Sequence, residues 1–453
     1  MSWLHTRFVL PFAEPERYSG LTGRLNSLRA FDAMSPDAQR EEQHRRLMTL
    51  MQRAYRSTPY YRHAFEETGL RPEDWKPGLP LPLPLLSKAT LRDHGEELLS
   101  RDYPIDALQT AQTGGTTGPP VRIWRDLESL RDKVAMQIHL EKRIGYAPGN
   151  SVLMIWGADR DLELNPSWKW KLYQQTLMRQ HAAPVGNMNE AVFARFYQKL
   201  QQYKPRVIYG YSGCVARFAE YVEQQKGGYR SPATIIVTAE PLTEIDRAII
   251  ERVFGTRVNE FYGARDIGMV ASQCTHGGSL HFHPAASYTE LVPEGITPEG
   301  PIYRLVITDL LNAASPLIRY DTADCVLLED DPCPCGSWHP VVRKIVGRSL
   351  DNFTLSDGTK IPGVSLTIQV GKMKDTLKLV TGIQFVQKEF DLIQLRFSAR
   401  GDEHSIAREL KLLCECSAKL FPPGMRWVHT RVPAIEREAS GKLRFTISEV
   451  QAI

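Results

Sequence analysis

The sequence predicts an α/β protein. Its middle reads as a buried parallel sheet, followed by a strand-rich stretch and a small α+β block at the C-terminal end. Three observations carry this expectation. Short apolar or β-branched runs at residues 152–156, 207–211, 235–238 and 258–262 alternate with helical patterns at 215–225 and 245–254, and strands spaced by helices build parallel sheets covered on both faces. After about residue 280 the pattern changes to alternating strands with few helices. Gly347-Arg348-Ser349 then sets off a final block, dividing the chain into 1–346 and 347–453.

Taken in order, Leu47, Met51, Ala54 and Tyr55 recur at helical spacing and put an apolar stripe on one side. The Pro-rich run 77–84 cannot continue a helix and reads as an extended connector. Ser87 is placed to cap a short helix after it, and Thr243 to cap the helix over 245–254. In parallel sheets ligands sit beyond the carboxyl ends of the strands. That rule points to Thr238-Ala239-Glu240 and Phe261-Tyr262-Gly263, two expected strand-to-loop junctions. The final block reads as a hairpin (377–386 with 392–397), an amphipathic helix over 406–420 and a last strand near 427–431.

The composition is that of an ordinary globular protein: 453 residues, 42% hydrophobic and 24% charged. A net charge of +4 without a Lys/Arg run gives no reason to expect nucleic acid or an anionic membrane as partner. The first residues lack a secretory pattern, and no uncharged apolar stretch approaches the ~20 residues of a membrane span. Seven cysteines fit reduced thiols, with metal binding open. A cytoplasmic protein is expected.

Four segments carry chemistry. Thr113-Gly114-Gly115-Thr116-Thr117-Gly118 offers backbone N–H groups and hydroxyls to a polyphosphate, although it is not the GxxxxGK[ST] pattern and equally fits a surface loop. In Glu260-Phe261-Tyr262-Gly263-Ala264-Arg265-Asp266, an aromatic ring can stack on a nucleobase and a carboxylate can hold Mg²⁺; a tyrosine there also fits core or rim. Asp324, in Arg319-Tyr320-Asp321-Thr322-Ala323-Asp324, suits a ribose diol or an ordinary turn. Lys442, in Ala439-Ser440-Gly441-Lys442, reads on its own as solvated surface.

The order of these segments is more specific than any one of them. Gly/Thr loop, Ala-Glu-Pro, Tyr-Gly, Tyr-x-Thr-x-Asp, Gly-Arg-Ser and Ser-Gly-Lys follow one another as in the adenylate-forming superfamily, which includes acyl-CoA synthetases, peptide-synthetase adenylation domains and luciferases. More narrowly, from about residue 40 onward the chain resembles the phenylacetate–CoA ligase-like branch, including its capsule-biosynthesis relatives. Thr58-Pro59-Tyr60-Tyr61-Arg62, Pro84-Leu85-Leu86 with Ser87-Lys88, Tyr211-Ser212 and Pro316-Leu317-Ile318-Arg319-Tyr320 belong to the same resemblance.

That resemblance implies a large adenylate-forming domain, 1–346, closed by a small mobile domain, 347–453, that carries a catalytic lysine. It implies ATP phosphates at Thr113–Gly118, Glu240 and Pro241 beside adenine and acyl group, and Tyr262 with Gly263 against adenine. Asp266 would stand where Mg²⁺ is held, Asp324 and Arg348 at the ribose, and Lys442 between the substrate carboxylate and the α-phosphate. The implied reaction activates a carboxylic acid, aromatic or otherwise, as an acyl-adenylate and transfers it to coenzyme A or a carrier's phosphopantetheine. The alternative is an AMP-ligase or acyltransferase of polysaccharide or secondary-metabolite assembly that releases no free acyl-CoA. A homodimer is a further expectation from relatives.

Several positions depart from the pattern. Pro119 stands where the phosphate loop usually has lysine, Asp266 for glutamate, Ala323 for the glycine before Asp324, and Leu350 for a charged hinge residue. Cys333-Pro334-Cys335 looks like half of a zinc knuckle, completed by Cys274 and His281, with His276 and His283 as rival ligands. Such a four-ligand site would be structural. Cys414 and Cys416 fall in the amphipathic helix and are expected to pack.

Overall fold

A computed structural model describes residues 2–112, 121–155, 168–183, 190–274, 276, 278–297, 299–348, 352–373, 376–436 and 444–450. Thr113–Gly118, Pro119, Leu350 and Lys442 lie outside these residues, as does the side chain of Arg348.

A hairpin of β1 (Gln109–Gln112) and β2 (Arg122–Arg125) precedes the main sheet. Eleven strands then form one continuous mixed sheet. They are β3 (Val152–Ile155), β4 (Gln180–Ala183), β5 (Val207–Tyr211), β6 (Thr234–Thr238), β7 (Val258–Ala264), β8 (Gly268–Gln273), β9 (Leu280–Phe282), β10 (Ser287–Thr297), β11 (Gly300–Asp309), β12 (Tyr320–Leu328) and β13 (Val341–Arg348). Their order is β10-β11-β12-β13-β9-β8-β7-β6-β5-β3-β4. The pairs from β4 through β7 are parallel, and all pairs beyond β7 are antiparallel. The expected parallel and strand-rich parts are therefore not separate sheets; β7 belongs to both.

Side-chain alternation explains why the parallel part is buried on both faces. On β6, Ile235 and Val237 join the core under helices Glu190–Tyr203, Ser212–Glu223 and Glu244–Phe254, while Ile236 joins the core on the opposite face. That opposite core is closed by helices Pro36–Ser57, Pro59–Thr68 and Leu127–Arg143. Ser35 caps the first of these by accepting from Ala38 N–H, and Leu47, Met51 and Ala54 are its buried stripe. Ser87 caps Lys88–Asp93, and Thr243 caps Glu244–Phe254, both as expected.

The C-terminal block has its own sheet and core. β14 (Phe353–Thr354) pairs with β15 (Lys360–Ile361). β16 (Val380–Glu389), β17 (Leu392–Ala399), β18 (Arg426–Arg431) and β19 (Thr446–Ser448) are ordered β18-β17-β16-β19. Helices Val364–Lys372 and Glu403–Ala418 bring Leu366, Leu410 and Leu413 to the same core as Phe385 and Leu395. Cys414 and Cys416 pack against it. The strand near 427–431 is not the last one: β19 follows and pairs in parallel with β16.

Candidate functional site

β7 and β12 build the site. Parallel pairing of β7 with β6 ends at Val237 opposite Glu260, and from Phe261 onward β7 pairs only with β8. Tyr262 and Gly263 are thus inside a strand that outruns its parallel neighbour, not at its loop junction. Gly263 has no room for a side chain, since a Cβ there would sit 2.5 Å from the carbonyl oxygen of Gly268. Asp324 likewise lies inside β12, not at a strand-to-loop junction. The irregular register of β12 and the left-handed Ala323 (φ 60°) beside it turn the strand locally.

One cavity takes in Glu240, Pro241, Tyr262, Gly263, Asp266 and Asp324, six sequence-predicted residues spread over 85 positions of chain. Tyr262 donates its hydroxyl to Oδ2 of Asp324 at 2.8 Å. Burial, and then the charge of Asp324, push the Tyr262 phenol far above its usual range, so it remains a donor. Tyr320, buried at the start of β12, donates to Asp266. Burial and that carboxylate raise its phenol as well. Glu240 accepts from Gly213 N–H at 3.2 Å, at the first turn of helix Ser212–Glu223, where N–H groups are free to bind an anion. Ser212 Oγ donates to the Pro241 carbonyl at 3.2 Å, fixing the same turn.

Arg348 pairs through its backbone with Asp324 across β12 and β13, and Gly347 lines the cavity. Arg444, Phe445 and Thr446 bring the final strand to the cavity wall, two to four residues beyond Lys442.

Sequence reasoning missed two lining residues and a backbone feature. Lys88, at the first position of its helix, lines the cavity; only its place in a Ser-Lys pair after a capping signal hinted at it. Glu260 also lines it; burial pushes its carboxyl up to about 7, while Arg247 at 3.2 Å draws it down. Ala239, Arg319 and Ala323 take left-handed backbone (φ 70°, 55° and 60°) beside site residues. Such strain collects where geometry is overdetermined, and no composition signal reveals it.

A second cluster lies at the start of the antiparallel part. The donor atoms of Cys274, His281, Cys333 and Cys335 all fall within 4.8 Å of one another. The sulfurs of Cys274 and Cys333 are 3.8 Å apart, the edge of a tetrahedron with metal–sulfur bonds of about 2.3 Å. Both nitrogens of His281 are buried with no hydrogen-bond partner among the described residues, and burial pushes its imidazole down to about 4. Burial raises the Cys274 thiol, but bonds from the His276 backbone and ring and from Cys335 and Cys333 outweigh it, leaving about 7. Of the rival ligands, His276 meets Cys274 through both its ring and its backbone N–H. His283 donates through Nε2 to Asp32 at 3.0 Å while its Nδ1 accepts from Ala285 N–H. That tautomer commits it to Asp32, which also accepts from His139.

No protein-family model matches the chain. It is similar to Protein CapK of Staphylococcus aureus, 22% identical over 82% of this chain and 80% of that one. It is similar to phenylacetate-coenzyme A ligases of Thermus thermophilus (27% identical; 68% and 70%) and Pseudomonas putida (25% identical; 82% and 84%). Among solved structures, 2-hydroxyisobutyryl-CoA ligase with 2-HIB-AMP, in the postadenylation state, matches at a TM-score of 0.71, with 20% identity over 91% of this chain and 90% of that one. The anthranilate CoA ligase AuaEII with anthranoyl-AMP matches at 0.52, with 13% identity over 76% and 66%. No helix among the described residues is long and apolar enough to cross a membrane. The chain is thus similar in sequence to CapK and to phenylacetate-coenzyme A ligases over most of its length, and it shares the fold of 2-hydroxyisobutyryl-CoA ligase.

Proposed function

We propose that this protein uses ATP to activate a carboxylic acid as an acyl-adenylate and passes the acyl group to a thiol such as coenzyme A. The observation that carries this reading is the convergence of Glu240, Pro241, Tyr262, Asp266 and Asp324 on one cavity. Relatives named phenylacetate-coenzyme A ligase support it.

Asp324 accepts the ribose hydroxyls, held in place by the Tyr262 hydroxyl. The Tyr262 ring offers adenine its face, and Glu240 with Pro241 lines the side where base and acyl group meet. Asp266, steadied by Tyr320, is the carboxylate for Mg²⁺; when bound, that ion neutralises phosphate charge. Thr113–Gly118 bind the phosphates, and Arg348 joins Asp324 at the ribose. Lys442 stabilises the charge that develops as the substrate carboxylate attacks the α-phosphorus. Residues 347–453 act as the lid that delivers and withdraws this lysine; Arg444 at the cavity wall supports that placement.

Cys274, His281, Cys333 and Cys335 suit a structural Zn²⁺, because four protein donors leave no open position.

The test is carboxylate-dependent exchange of labelled pyrophosphate into ATP, across a panel of acids. Exchange with at least one acid is expected, together with its loss in Lys442→Ala while nucleotide still binds. Absence of exchange with every acid, or undiminished exchange in Lys442→Ala, refutes the assignment; consumption of coenzyme A in step with product identifies the acceptor.

A further inference from the structure

Behind the wall that carries Asp266 lies a buried polar hub which the proposed chemistry does not use. Lys133, on helix Leu127–Arg143, is 7% exposed, and Asp309, at the end of β11, is 0% exposed. The Lys133 ammonium donates to the Asp309 carboxylate and, at 2.8 Å, to the carbonyl of Ile267. Arg125, at the end of β2, donates to the neighbouring carbonyl, that of Asp266, at 3.3 Å. A buried ammonium and a half-buried guanidinium thus hold consecutive carbonyls of the turn, whose Asp266 side chain faces the cavity.

The hub reaches β2 as well. Asp309 Oδ1 accepts from Leu311 N–H at 3.0 Å, which shapes the turn after β11. That turn presents Asn312, 0% exposed, whose amide donates to the Trp124 carbonyl at 2.9 Å. Trp124 lies in β2, the strand entered directly from the segment that contains Thr113–Gly118. One turn therefore ties β2 to the Asp266 turn, through Asn312 on one side and Asp309–Lys133 on the other. An ion pair this deeply buried is weak evidence for stability, because desolvation offsets the attraction, but it fixes geometry. The stem of Lys133 packs against Gly268, where a Cβ would lie 3.3 Å from its Cδ, so the turn has little room to shift.

We infer that Lys133, Asp309, Arg125 and Asn312 are positioning residues which hold the Asp266 carboxylate and strand β2 in register for the same Mg²⁺-bound polyphosphate. This rests on the adenylation reading. The ligand class is a nucleoside triphosphate with its divalent cation, and the hub acts on its phosphate end only; Tyr262 and Asp324 are outside it.

The test compares the full-length protein with Lys133→Met/Asp309→Asn, which removes both charges together, and with Asn312→Ala, which leaves the ion pair intact. Pyrophosphate exchange is measured as a function of Mg²⁺ and ATP, AMP affinity is measured separately, and the folded fraction comes from thermal melts. For either variant, a fall on the order of 10–100-fold in exchange per folded molecule is expected, with a higher Mg²⁺ requirement and unchanged AMP affinity. Exchange and Mg²⁺ dependence equal to the parent per folded molecule overturn the inference, as does parallel loss of AMP affinity. If the double variant does not fold, Asn312→Ala decides alone. Failure of the parent protein to exchange at all refutes the adenylation reading instead, so the two failures are distinguishable.

Discussion

The phenol oxygen of Tyr262 on β7 lies 2.8 Å from Oδ2 of Asp324 on β12, joining the strand assigned to the base and the strand assigned to the sugar. Tyr262→Phe keeps the ring and removes the donor. A hydrogen bond to a carboxylate contributes about 1.5–3 kcal/mol, so a stability loss of about that size is expected, read by denaturant unfolding. The KM for ATP should rise while AMP still protects the fold. Asp324→Ala removes the proposed sugar acceptor itself and should weaken AMP binding far more than Tyr262→Phe. Equal AMP affinity in the two variants would place the ribose elsewhere.

The cysteine–histidine cluster predicts a metal content. Purified protein should carry about one zinc per chain by elemental analysis, and Cys333→Ser should carry much less. Because ligand binding stabilises the state that binds it, a strong chelator should lower the thermal midpoint of the parent and leave Cys333→Ser unmoved. Protein without zinc whose midpoint ignores chelator would leave the orphaned nitrogens of His281 without this explanation.

Ala323 occupies a left-handed position, φ 60°, one residue before Asp324. A non-glycine residue there costs roughly 1–2 kcal/mol, and glycine returns roughly 0.5–1 kcal/mol of that as chain entropy. Ala323→Gly should therefore be neutral to stabilising by up to about 1 kcal/mol by denaturant unfolding, with exchange activity kept. A clear loss of stability would mean that the alanine methyl packs better than its backbone suggests.

How much of this was legible in the sequence differs by element. Apolar runs and caps identify β3, β5, β6, β7 and Glu244–Phe254 to within a residue or two, because burial on both faces leaves a continuous apolar signature, whereas the edge strand β4, Gln180–Ala183, lacks that signature and was missed. Segment order singled out Tyr262, Asp266 and Asp324, which the fold brings to one cavity. The Cys-x-Cys pair named its partners, and the tautomer of His283 removes that rival, a fact only packing reveals. What stayed hidden is long-range: the parallel β16–β19 pairing rests on a three-residue strand, too short for periodicity. Likewise Lys133, in a helix rich in charged residues, resembles solvated surface until Asp309, 176 positions away, is placed against it.

Glu141 supplies a pH-dependent prediction away from the site. It is 3% exposed on helix Leu127–Arg143, and the Gln137 amide donates to its carboxyl at 2.8 Å. Burial pushes that carboxyl from 4.5 up to about 8, against the lowering effects of Gln137 and Arg17. The native state then holds this proton more tightly than the unfolded chain, so folding binds a proton between those two values. Stability from this group is present at low pH and is lost as pH rises from about 4.5 through 8. Glu141→Gln keeps an amide in the carboxyl's place and cannot ionise. Relative to the parent it should be unchanged near pH 4.5 and more stable by over about 1 kcal/mol at pH 8, since a tenfold difference in proton affinity between the folded and unfolded states is worth about 1.4 kcal/mol. Unfolding free energies measured at several pH values decide the matter. A stability difference that stays flat between pH 5 and 8 would show that Glu141 ionises in the folded protein as readily as in the unfolded one.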